Sequence, residues 1–217
     1  MPMSGSGIQP IVTIRTFPMT LTRRLFTALA LCAALPASAQ ELSLDAVSAY
    51  FNALQTAQGG FTQINADGTI STGTLYIKRP GRMRFEYAAP DNSMVIAGGG
   101  QVAIFDPRSN TGPDRYPLNQ TPLSIMLERT VDLGRRDMVT GHTSDGTTTT
   151  ITAQDPDRPE YGSIQMVFTA NPVELRQWIV TDDAGNETTV ILNDLTPGGS
   201  IGDILFNITH EMETWNP

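Results

Sequence analysis

Cysteine is nearly missing from this chain. Cys32 stands alone in an apolar stretch near the N-terminus, so disulfides and thiol chemistry are excluded from everything beyond it. Histidine is scarce too: His142 and His210 fall in different predicted elements, and neither has further ligands at metal spacing. No G-x-S-x-G elbow, P-loop or H-E-x-x-H occurs. The chain therefore reads as a non-enzyme without cofactor or metal. Basic residues number 14 against 22 acidic ones, which argues against nucleic acid as a partner. No apolar run approaches the ~20 residues of a membrane-spanning helix.

The longest apolar run, residues 25–35, follows Arg23 and Arg24 and precedes Ala37-Ser38-Ala39. A positive start, a short apolar core and small residues at the end make an export signal peptide, cleaved after Ala39. Residues 1–18 hold Pro2, Pro10 and Pro18 without periodicity, so Met19 reads as the true start. Arg23-Arg24 leaves a twin-arginine and a general export route equally open. Leu31 before Cys32 argues against lipid attachment at that cysteine. Residues 40–217 then form one domain of 178 residues, with 11 basic and 22 acidic side chains and a formal charge of −11.

Within that domain one early helix is expected. Leu44, Val47, Phe51 and Leu54 recur at helical spacing, Ser43 is placed to cap, and Gly59-Gly60 is read as the stop. Strand signals follow over residues 60–65, 69–78, 82–87, 93–97 and 101–106, with Ala66-Asp67-Gly68, Arg79-Pro80-Gly81 and Gly98-Gly99-Gly100 as turns. Residues 82–87 alternate cleanly, Met83, Phe85 and Tyr87 against Arg82, Arg84 and Glu86, as in a half-buried antiparallel strand. Residues 107–119 read as a loop. Thr121-Pro122 then reads as the cap and first residue of a short apolar helix through Leu123, Ile125, Met126 and Leu127, with a second turn at 131–133. Five further strands are expected over 137–143, 147–154, 162–168, 173–181 and 187–194, and a short element over 203–207. About ten strands and few helices point to a large curved antiparallel sheet or partial barrel.

Six methionines, Met83, Met94, Met126, Met138, Met166 and Met212, fall beyond the leader. On composition ordinary core filling is the default reading and an adaptable apolar cavity the alternative, and composition does not decide between them.

The stretch 51–106 carries a resemblance. Phe61-Thr62-Gln63, Gly73-Thr74-Leu75, the run from Lys78-Arg79-Pro80-Gly81-Arg82 to Met83-Arg84-Phe85-Glu86-Tyr87, Pro90, and residues 95–106 resemble the periplasmic outer-membrane lipoprotein carrier family, LolA. The resemblance implies a mainly β fold: an unclosed antiparallel half-barrel of about eleven strands with a helical lid over its concave apolar face. It implies a periplasmic chaperone, expected to be a monomer, that takes lipoproteins by their acyl chains from an inner-membrane ABC transporter and delivers them to an outer-membrane acceptor. It also implies that the arginine before the proline, Arg79 by position, holds the lid closed. On that basis the ligand and lid residues are expected to be Arg79, with Leu75, Ile77, Met83, Phe85, Tyr87, Met94, Ile96 and Ile104 on the concave face, and Leu123, Ile125, Met126 and Leu127 in the lid together with the first helix through Leu44, Val47 and Phe51. A binding protein of the same fold for another lipid or glycolipid is the alternative. The leader reading makes a direct prediction. Mass spectrometry of the exported protein should find Gln40 at the N-terminus, and an intact residue 25–35 segment in it would refute cleavage.

Overall fold

The computed structural model describes residues 41–135 and 137–215. The expected signal peptide, its start and its cleavage site lie outside the described residues. Helix α1 (Leu44–Ala53) opens the described chain, and the Ser43 hydroxyl accepts from the Ala46 N–H at 3.1 Å, as its cap position predicts. The helix ends at Ala53 rather than at the glycine pair. Gly59 and Gly60 instead lie inside strand β1 (Thr56–Ile64), at a bulge where the backbone of Leu195 packs closely against Gly59.

Eleven strands form one sheet. After β1 come β2 (Ile70–Lys78), β3 (Met83–Tyr87), β4 (Met94–Gly98), β5 (Gln101–Phe105) and β6 (Asp114–Pro117). The chain then crosses through α2 (Leu123–Leu127) to β7 (Val139–Ser144), β8 (Thr148–Gln154), β9 (Ser163–Thr169), β10 (Glu174–Thr181) and β11 (Glu187–Pro197). The order across the sheet is β6-β5-β4-β3-β2-β1-β11-β10-β9-β8-β7, every pair antiparallel. β6 and β7 remain as free edges, so the barrel does not close. β6 falls within the expected loop at 107–119. The expected second turn at 131–133 is not helical, although Val131 and Leu133 are buried. Thr121 does not cap α2 by its side chain: its hydroxyl donates to the Leu118 carbonyl at 2.8 Å.

The sheet curls strongly. Phe85 on β3 and Trp178 on β10 sit four strands apart, which in a flat sheet is about 19 Å at ~4.8 Å per strand. Their ring centroids are 6.2 Å apart. Phe61 on β1 lies in the hollow between them, edge-on to Phe85 at 5.2 Å. Its ring needs Gly73 opposite it on β2, because a Cβ there would stand 2.7 Å from that ring and 2.1 Å from the Glu86 carbonyl oxygen. The inner face is lined from both halves: Leu75, Ile77, Met83 and Phe85 on one side, Ile151, Ile164, Met166, Phe168, Trp178, Val190 and Leu192 on the other.

A second, smaller cluster lies on the outer face. A 3-10 turn (Asp203–Phe206) and α3 (Ile208–Thr214) fold back over β3 to β5, and Ile208 and Trp215 pack on Met94, Ile96, Ala103 and Phe105. Arg84, buried on that face, bridges Glu86 and Glu211, both at 2.7 Å, and donates to the Leu205 carbonyl. At Gly98 the cap approaches so closely that a Cβ would stand 2.1 Å from the Phe206 carbonyl oxygen. Gly98→Ala should therefore destabilise the fold by about 1–3 kcal/mol through overpacking. Urea denaturation checks this, and an unchanged midpoint would mean that the cap does not seat there.

Candidate lid and apolar interior

The inner face is covered by α1 and by the segment running from α2 to Leu133. α1 contributes Val47 and Phe51, its C-cap adds Leu54, all buried, and α2 contributes Ile125, Met126 and Leu127. Phe51 packs edge-on to Phe168 of β9 at 5.8 Å. At roughly 25 cal/mol per Å² of apolar area, each such side chain contributes about 1.5–3 kcal/mol when fully buried.

Hydrogen bonds join the two lid parts to each other. Asn52 on α1 both donates to the Val131 carbonyl and accepts from the Val131 N–H, each at 2.9 Å. The Ser48 hydroxyl accepts from the Leu133 N–H at 3.0 Å. The start of α1 is fixed to the sheet: the Leu42 N–H donates to Thr149 Oγ1 at 2.9 Å, and His142 Nε2 lies 2.8 Å from the Leu42 carbonyl and 3.1 Å from Glu41. His142 thus joins β7 to the lid.

Arg79 sits where lid and sheet meet. Its N–H donates to Gln55 O, just past α1, at 2.8 Å. Its Nη2 donates to the Glu128 carbonyl, just past α2. Its guanidinium lies over the Phe51 ring, 6.0 Å from the centroid. Two residues on, the Gly81 N–H donates to the Leu127 carbonyl at 2.9 Å. The side chain is only 5% exposed, and Nε has no partner among the described residues. Burial pulls the Arg79 pKa down, and the nearby Glu128 carboxylate opposes that shift.

Of the residues expected on the concave face, the structure brings Leu75, Ile77, Met83, Phe85 and Tyr87 together on the inner face. The Tyr87 hydroxyl donates to Gln63 Oε1 at 2.8 Å, and burial pushes its pKa up to about 12. Ile104 shares this face, opposite Val95, but is 38% exposed beyond the lid. Met94 and Ile96 do not belong there. Ile96 pairs with Arg84 and Met94 with Glu86, so both point outward under the C-terminal cap. Leu123 packs at the margin of the inner core, and Ile125, Met126 and Leu127 lie within it.

Sequence reasoning missed Asn52 and Ser48, whose partners lie 79 and 85 residues away. It also left the inner face of β8 to β10 unassigned, although alternation of Ile164, Met166 and Phe168 was available to reveal it.

Comparison with known proteins bears on what this interior is. The family described as "Outer membrane lipoprotein carrier protein LolA" matches residues 52–209, most of the chain. This chain belongs to the LolA family. An outer-membrane lipoprotein carrier protein of Pseudomonas aeruginosa is 33% identical over 95 residues, 41% of this chain and 46% of that protein. One of Chromohalobacter salexigens is 26% identical over 182 residues, 77% of this chain and 82% of that protein. The chain thus spans less than half the length of the Pseudomonas relative in its match. Among solved structures, a LolA superfamily protein of Nitrosomonas europaea is 9% identical, covering 76% of this chain and 98% of that one, with a TM-score of 0.42. Among the described residues no helix is long and apolar enough to cross a membrane, and no cluster of three or more potential metal ligands is present.

Proposed function

We propose that this LolA-family chain is a periplasmic carrier that holds the acyl chains of lipoproteins in the space now filled by its lid. It accepts them from an inner-membrane releasing transporter and delivers them to the outer membrane. The observation that carries the reading is a continuous apolar inner face whose cover is a separate, hydrogen-bonded lid pinned at Arg79. Family membership and the relatives' names support the cargo.

The energetics match the task. An acyl chain moved into water costs ~0.8 kcal/mol per methylene, so one ~16-carbon chain represents more than ~10 kcal/mol. A carrier must recover most of that and then release it. A lid whose own apolar side chains occupy the site competes with cargo, so each bound chain is offset by displaced Phe51, Ile125, Met126 and Leu127. The reading needs no bond-making chemistry. A carrier of free phospholipid or glycolipid uses the same interior, and mass spectrometry of lipids co-purified with the protein separates the two cargoes.

The test mixes purified protein with membranes bearing acylated proteins. Those proteins should appear in the soluble fraction, bound to the carrier; their absence would contradict the proposal. Arg79→Leu removes a charge-assisted hydrogen bond of ~1.5–3 kcal/mol from the closed state. It should slow release to acceptor membranes roughly tenfold to a hundredfold at ~1.4 kcal/mol per decade. Release at the wild-type rate would remove Arg79 from the mechanism.

A further inference from the structure

The lid is fastened unevenly. Its start is bonded to β7 and β8 through Leu42, His142 and Thr149, and its far side to the 131–133 segment through Ser48 and Asn52. Toward β10 and β11, α1 presents Tyr50 and Leu54, where the polar link is the Tyr50 hydroxyl with the main chain of Leu175. An apolar cleft of about 200 Å³ opens along that seam, walled by Tyr50, Leu54, Val173, Leu175, Leu192 and Leu195. The exposed Glu174–Arg176 ion pair, at 3.3 Å, stands at its rim.

We propose that this cleft is the entry port for a single acyl chain; the inference rests on the carrier reading above. Size fixes the occupant. An apolar cavity of ~150 Å³ takes a benzene, six carbons, so this cleft takes the end of one chain and not several chains together. Behind Tyr50 the cleft backs onto an aromatic cluster. Tyr50 packs edge-on to both Phe51 and Phe168, at 5.5 and 5.8 Å, and Phe51 lies under the Arg79 guanidinium. A chain end that displaces Tyr50 therefore reaches the lid's buried contacts directly. The seam is also the side on which α1 can lift while its bonds to the 131–133 segment stay intact, so both lid parts move as one body.

Leu195→Trp and Val173→Trp each fill the cleft from the sheet side and leave the residues of α1 and Arg79 unsubstituted. Stopped-flow binding of a fluorescent ~16-carbon fatty acid should show association at least ~10-fold slower in either variant, with equilibrium affinity within ~2-fold of wild type. An unchanged association rate in the folded variants would overturn the port while leaving the carrier reading standing. Failure of the wild-type protein to bind the probe would overturn both. A second measurement needs no variant. Hexanoate, short enough for the cleft alone, should shift the methyl signals of Leu54 and Leu195 and leave those of Ile151 and Ile164 in place. No shift at Leu54 and Leu195, or an equal shift at all four, would overturn the port.

Discussion

In the proposed carrier the closed state depends on a buried guanidinium that is only partly satisfied. Arg79 ties the end of α1, the end of α2 and the sheet to one another through its main chain, its Nη2 and its position over Phe51. An arginine has five N–H donors, and burying them costs free energy unless each finds an acceptor. Here Nε finds none among the described residues. In the proposed carrier this side chain fastens the lid while one of its buried donors stays unpaired.

The curled sheet presents the surface that this lid covers. Strong curling brings β3 and β10 within ring contact, so side chains far apart along the sheet share one interior. The free edges β6 and β7 leave the gap that the α2 segment bridges. The C-terminal turn and α3 then cover the outer face of β3 to β5 and clamp Arg84 between two glutamates. Lid and cap thus lie on opposite faces of the same strands: the lid fastened by few, long-range hydrogen bonds, the cap by ion pairs and close backbone packing.

How much of this was legible in the amino-acid pattern varied with burial. Residues 82–87 alternate because apolar side chains line one face of β3 while the other carries Arg82, Arg84 and Glu86, and their inner residues are where alternation places them. β4 defeats the same argument. Met94, Val95, Ile96 and Ala97 are all apolar because both faces of that strand are covered, so nothing in the run tells inside from outside and a one-residue slip inverts the assignment. β6, Asp114–Pro117, is an exposed edge strand with no apolar face to announce it. The lid's fastening was illegible for a different reason: Asn52 and Ser48 look like ordinary helix-surface residues until the fold brings Val131 and Leu133 to them.

The central claim is that lid and acyl chains compete for one apolar surface. Amide hydrogen exchange reads that competition directly. The Val131 and Leu133 N–H groups bond to α1, and that of Gly81 bonds to Leu127. Loading the protein with an acylated protein should speed exchange at Gly81, where lid parts from sheet, by about tenfold or more. Val131 and Leu133 should stay protected if α1 and its partner segment lift as one body, as should the paired strands β9 and β10. Unchanged exchange at Gly81 in the loaded protein would contradict the account, because cargo would then be held without displacing the lid.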